Sequence, residues 1–133
     1  MENLNCKSLM IGDYVVYTEF GKNEIDKIET LEPRRVWLEH GRTYVPIEFV
    51  EPIPLTTEIL KKNGFVKDEK DDNMYYWNWG VIDDCISYDK ETSKVRIISA
   101  SGLTFVKILQ YVHELQHALR LCEIQKEIEY EKE

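Results

Sequence analysis

The clearest periodic signal in the chain lies near its end. Ile108, Val112, Leu115, Leu119 and Cys122 follow steps of 4, 3, 4 and 3, which draws one apolar stripe along a helix turning about 100° per residue. Tyr111 and Ala118 flank the stripe. The same wheel sets His113, His117 and Arg120 on the far side, facing solvent or one neighbouring loop. The segment is therefore predicted to be an amphipathic helix with its greasy side packed inward.

Residues 9–53 carry a shorter period, in runs cut by turn residues. LMIGDYVVY (9–17) opens with a Gly-Asp turn and continues as a β-branched and aromatic run. Gly21-Lys22-Asn23 signals a turn, and residues 24–30 form a strand with Ile25 and Ile28 as its only apolar positions. Glu32-Pro33 breaks the chain. RVWLE (35–39) alternates, with Val36 and Leu38 on one face and Trp37 on the other. After a turn at His40-Gly41, residues 43–50 (TYVPIEFV) read as a last strand, and Pro46 marks it as an edge. Four short strands in so little chain predict a small, strongly bent barrel or meander.

PIPLTTEILKKNGF (52–65) changes character. Pro52 and Pro54 hold the approach extended. Thr56 is a good N-cap, Glu58 suits the positive first turn, and Lys61 and Lys62 suit the last. Asn63-Gly64 supplies a left-handed stop, so a two-turn helix is expected over 57–63. Strand patterns then resume: FVK (65–67), an acidic loop, MYYWNWG (74–80), and a hairpin from DCISY (84–88) and KVRIIS (94–99). Residues 103–107 read as a further strand or as the start of the long helix. The sum is an α+β fold: a small SH3-like β-barrel or meander, a short capped helix, a second antiparallel β region, and the C-terminal amphipathic helix packed on the sheet. One compact domain is expected over 1–133, with a barrel-like half at 1–53 and an α+β half at 54–133.

Bulk composition narrows the function classes. The chain has 133 residues, 25 acids against 17 bases and a formal net charge of −8. A duplex-binding surface displaces phosphate counterions with a basic excess, so nucleic-acid binding is disfavoured. No apolar run approaches the roughly 20 residues that span a bilayer, and the N-terminus lacks the basic and apolar regions of a secretion signal. Cys6, Cys85 and Cys122 are widely spaced with no CxxC. They are expected as free thiols in a reducing cytoplasm, with Cys85 and Cys122 as small core residues.

One stretch proposes a chemistry. HELQH (113–117) has the H-E-x-x-H order of a zinc protease, with His113 and His117 at i and i+4 and Glu114 placed as a general base. A catalytic zinc needs a third protein ligand. Arg120 and Glu123 stand where the extended motif has glycine and the third histidine, and the 16 residues after His117 are too few for a loop and a second long helix. Arg120 also sets a cation one turn beyond His117, which opposes binding of a dication. The match is read as coincidental, with no catalytic residue, metal or other cofactor implied. A zinc-dependent hydrolase on this segment is the alternative.

Other candidates are surfaces. Tyr75, Trp77 and Trp79 share one face of a regular strand, opposite Met74 and Tyr76. Packing into the core competes there with an exposed aromatic patch that grips a partner, and Trp37 belongs to the same set. Asp68, Asp71, Asp72, Asp83 and Asp84 lack the spacing of a calcium loop. His113 and Gln116 are candidates for hydrogen bonds that tie the helix to neighbouring backbone.

IGDYV, PIPLTTEILKKNGF and YVHELQHALRLC together resemble a family of small uncharacterised proteins from gut-bacterial genomes and their prophages. In that family the last stretch resembles V-H-x-L-Q-N, with the position of Glu114 variable and Asn common at that of His117. The resemblance implies that His113, Leu115 and Gln116 are the shared residues, and it implies no catalytic group. This chain departs from the family in carrying Glu123 where a glycine often follows the helix. The expected role is a non-enzymatic cytoplasmic binding or accessory module acting on a protein partner.

Overall fold

Alternation of inward and outward side chains builds most of the chain. The computed structural model describes residues 9–19, 21–41, 44–78, 84–124, 126, 128 and 129. Among them the fold is α+β, with two antiparallel sheets and a C-terminal helix, divided into two compact units. The first unit contains 9–54 with 111–113, and the second 55–110 with 114–129.

The first unit is a five-stranded sheet. Strands β1 (Tyr14–Glu19), β2 (Lys22–Leu31), β3 (Arg35–Leu38) and β4 (Tyr44–Pro46) run as a meander, and β5 (Val50–Pro52) returns to the free side of β1. The order is β4-β3-β2-β1-β5. Among the described residues no pairing joins β4 to β5, so the sheet is not a closed barrel. The strand expected over 43–50 is interrupted among its described residues, 44–50. A 3-10 turn at Ile47–Phe49 separates β4 from β5 and carries the chain from one edge of the sheet to the other. Val15, Tyr17, Ile28, Val36, Leu38 and Val50 form the core with Leu9, each aliphatic side chain contributing about 1.5–3 kcal/mol through burial.

The Gly-Asp turn ahead of β1 is closed by hydrogen bonds. Gly12 takes φ +92°, a left-handed conformation open to glycine. Its N–H donates to Ile28 O at 2.8 Å, and the Asp13 carboxylate, fully buried, accepts from Met10 N at 2.7 Å.

The second unit starts with α1 (Thr57–Lys62). Thr56 Oγ accepts from Ile59 N at 3.3 Å, and Gly64 takes the left-handed position after the helix, with φ +92°. Strands β6 (Val66–Lys67), β7 (Met74–Trp77), β8 (Cys85–Asp89), β9 (Lys94–Ile98) and β10 (Thr104–Ile108) follow in sequential antiparallel order. Residues 104–108 are thus strand, and Ile108, counted in the helical stripe, lies exposed at its end. Tyr75, Ile86, Tyr88, Val95 and Ile97 are buried on one face of this sheet.

Helix α2 (Val112–Leu121) begins four residues later than its apolar stripe suggests. Its first turn is tied to the chain at 53–54: Val112 N donates to Ile53 O at 2.8 Å, and Tyr111 bridges Pro54. Among the described residues no helix is long and apolar enough to cross a membrane.

Candidate binding surface

Strand alternation sets Arg35 and Trp37 on the face of β3 opposite the buried Val36 and Leu38. Trp37 lies directly across from Tyr44 on the edge strand β4, and Arg35 across from Pro46. A register shift in β2 between Ile28 and Thr30 brings Thr30 opposite Trp37 on the other side. The two rings meet edge to face, with centroids 5.7 Å apart and planes at 66°, the geometry that the ring quadrupoles favour. The Arg35 guanidinium carbon sits 4.4 Å from the Tyr44 centroid and 5.8 Å from that of Trp37.

Glu32 locks this arrangement. Its carboxylate pairs with Arg35 Nε and accepts from Trp37 Nε1 at 3.3 Å. The hydrogen bond from Arg35 holds the Glu32 carboxyl below the usual carboxylate range, and the same contact raises the guanidinium pKa. Both charges persist through neutral pH. The result is an indole on β3 and a phenol, 40% exposed, on the edge strand β4, with side chains fixed by cation–π contact and a carboxylate. Tyr44 escaped sequence reasoning because its relation to Trp37 is cross-strand; Arg35, two residues before Trp37 on the same strand, had the alternation around Trp37 as its signal.

The other aromatic candidates lie in the second unit. Tyr75 is buried in the core, because β7 turns that face inward, so for this residue the core-packing alternative applies and it leaves the candidate surface. Trp77 is half-buried, and the Lys126 ammonium covers its ring at 4.7 Å. Desolvation lowers the Lys126 pKa. Trp79 lies outside the described residues.

HELQH is placed differently from its helical wheel. His113 is only 4% exposed, so it does not face solvent, and His117 is half-buried. The buried arc of α2 is wider than its apolar stripe, taking in His113 and Gln116 as well as Val112, Leu115, Ala118 and Leu119. Tyr111 stacks on the His113 ring, with centroids 5.9 Å apart. Glu114 Oε1 accepts from Gln110 N at 2.9 Å, so it satisfies a backbone donor at the helix start in the manner of a capping box. Among the described residues no three His, Cys, Asp or Glu side chains gather to hold a metal ion. Cys85 and Cys122 are buried free thiols whose pKa desolvation raises, which disfavours the reactive thiolate.

A second feature lies on the outward face of the second sheet. Met74 and Tyr76, Ser87 and Asp89, and Lys94 and Arg96 line a shallow cavity of about 250 Å³. Pairing sets Tyr76, Ser87 and Arg96 in one row and Met74, Asp89 and Lys94 in the next. The short Ser87 and Asp89 side chains leave the hollow between longer neighbours. Burial and the Asp68 carboxylate raise the Tyr76 pKa, so its hydroxyl stays protonated.

Comparison with protein-family models, with curated proteins and with solved structures finds no match.

Proposed function

We propose that the protein is a non-enzymatic binding module of the cytoplasm, acting on a protein partner through the Trp37–Tyr44 surface, and that it belongs with the gut-bacterial and prophage family its motifs resemble. The carrying observation is the edge-to-face aromatic pair on β3 and β4, braced by Arg35 and Glu32. Rigid aromatic side chains give large contact area for little rotamer entropy, which is why Trp, Tyr and Arg dominate binding hot spots. We further read the first sheet as SH3-like in its strand order, left open between β4 and β5 among the described residues. Its support is the meander β1 to β4, the 3-10 turn, and the return of β5 to β1. That likeness is an analogy of fold and adds no residue role.

Selection of peptides from a random display library on the full chain tests the surface. A Trp37→Ala/Tyr44→Ala variant that keeps its melting temperature is expected to lose about 2 kcal/mol of affinity, roughly 30-fold, for every enriched peptide. Peptides that bind the variant as well as the parent refute the assignment. Elemental analysis of protein purified without added metal tests the non-enzymatic part. One zinc per chain, lost in a His113→Ala/His117→Ala variant, would return the hydrolase alternative.

A further inference from the structure

The two sheets expose four edge strands, and three are blunted by common devices against strand pairing. β4 and β5 have three residues each and end in Pro46 and Pro52, and β6 has two. The fourth, β10, is a five-residue run of Thr, Phe, Val, Lys and Ile with neither proline nor glycine. Among the described residues no strand pairs with β10 on the side away from β9.

Register says which groups face that side. Ser99 N donates to Leu103 O at 2.8 Å and Leu109 N to Ser93 O at 3.0 Å, bracketing the β9–β10 ladder. In an antiparallel ladder the bonded pairs recur at every second residue. Pairs 97/105 and 95/107 are therefore bonded, and Thr104, Val106 and Ile108 lie between them. Their N–H and C=O groups point away from β9: three donors and three acceptors along an open edge. Val106 and Ile108 are 45% and 57% exposed.

Charge selects the occupant. Arg96 lies opposite Val106 and Lys94 opposite Ile108, on the same sheet face, while Lys107 stands exposed on the other. β9 and β10 thus carry three cations and no carboxylate, in a chain of net charge −8. A second copy laid edge to edge would add three more cations to the same seam. We propose that the open edge of β10 docks an extended, acidic segment of a partner protein by strand addition. Its backbone pairs with Thr104, Val106 and Ile108, and its carboxylates meet Arg96, Lys94 and Lys107. An added strand lies about 10 Å from β9 across two strand spacings, a gap that a glutamate and an arginine bridge between them. This edge belongs to the second sheet, the aromatic surface on β3 and β4 to the first.

The test is titration of isotope-labelled full chain with a blocked peptide of about ten alternating Glu and Val residues, long enough to cover β10. Amide shifts are expected at Thr104, Val106 and Ile108, with affinity falling steeply as salt rises. The Val106→Pro variant is expected to abolish binding, because proline removes an outward N–H and is tolerated on an edge. Should that variant fail to fold, Lys94→Glu/Arg96→Glu serves instead, with an expected loss of at least about tenfold. Equal binding of a Lys-Val peptide, shifts away from β10, or unchanged affinity in either folded variant overturns the proposal. Self-association that Val106→Pro removes, with no binding of the Glu-Val peptide, assigns the edge to a second copy and overturns it too.

Discussion

Replacement of Asn63 probes how the end of the chain is held. Its side chain acts as a short piece of strand: Nδ2 donates to Glu129 O at 2.9 Å, and Oδ1 accepts from Glu129 N at 2.8 Å. Nδ2 also donates to Ile59 O at 2.8 Å, within the turn that closes α1. Asn63→Ala removes three hydrogen bonds, each worth about 1 kcal/mol net. Ile59 O keeps a backbone donor, Asn63 N at 3.2 Å, and the exposed Glu129 can turn to water, so the expected cost is about 2 kcal/mol. Asn63→Asp should cost more, since an oxygen then confronts two carbonyls. The penalty has a ceiling: once it exceeds what burial of Ile128 supplies, about 2–3 kcal/mol, the segment detaches and the loss stops growing. Urea unfolding measures the cost, and hydrogen exchange at the Glu129 amide reports detachment. If both variants unfold within about 0.5 kcal/mol of the parent, the range of an ordinary surface change, or if Glu129 keeps its protection, the clamp is refuted.

Two further predictions follow from single positions. Helix α2 ends in a Schellman arrangement, with Ile124 N on Leu119 O at 2.9 Å and Glu123 N on Arg120 O at 3.1 Å, and it forces Glu123 to φ +59°. Glu123→Gly relieves a left-handed conformation that costs an L-residue about 1 kcal/mol, and should raise the melting temperature by about 3–5 °C; no rise would contradict it. His40 Nδ1 lies 2.9 Å from Asp26 Oδ1, and this hydrogen bond raises the His40 pKa above its usual value. Its stabilisation is present in full below about pH 6.5, the unfolded value, and is lost as pH rises through the higher folded value. The effect is small because the ring is largely exposed, and His40→Gln should flatten the difference in melting temperature between pH 5.5 and 8.5; a parent whose stability rises over that range by more than the variant's opposes the assignment.

Elements whose signals are local were legible from sequence. Thr56, Glu58, Lys61, Lys62 and Gly64 specify α1 through contacts within one or two turns, and the structure keeps each of them in its place. Alternation in RVWL and KVRII likewise states which side chains share a face. Elements set by distant partners were not legible. Residues 43–50 read as one strand because Val45, Ile47 and Phe49 alternate; a 3-10 turn interrupts them so that β5 can pair with β1. Thr104–Ile108 suits a strand or a helix by composition, and pairing with β9 decides it.

The candidate surfaces divide in the same way. Trp37 was visible as an aromatic on the polar side of an alternating strand, with Arg35 and Glu32 two and five residues before it, but Tyr44 became its partner only when β3 met β4. The side of α2 on which His113 sits looked solvent-facing on an isolated wheel, because a wheel holds no information about neighbouring chain; the first turn proves to be tied at 53–54. The sequence alone determined the caps of α1 and the alternation of β3 and β9, since those depend on residues a few positions apart. Tertiary structure alone decided which edges stay open, which rings meet, and that Asn63 clasps Glu129 across 66 residues, because such contacts arise only when distant segments are packed together.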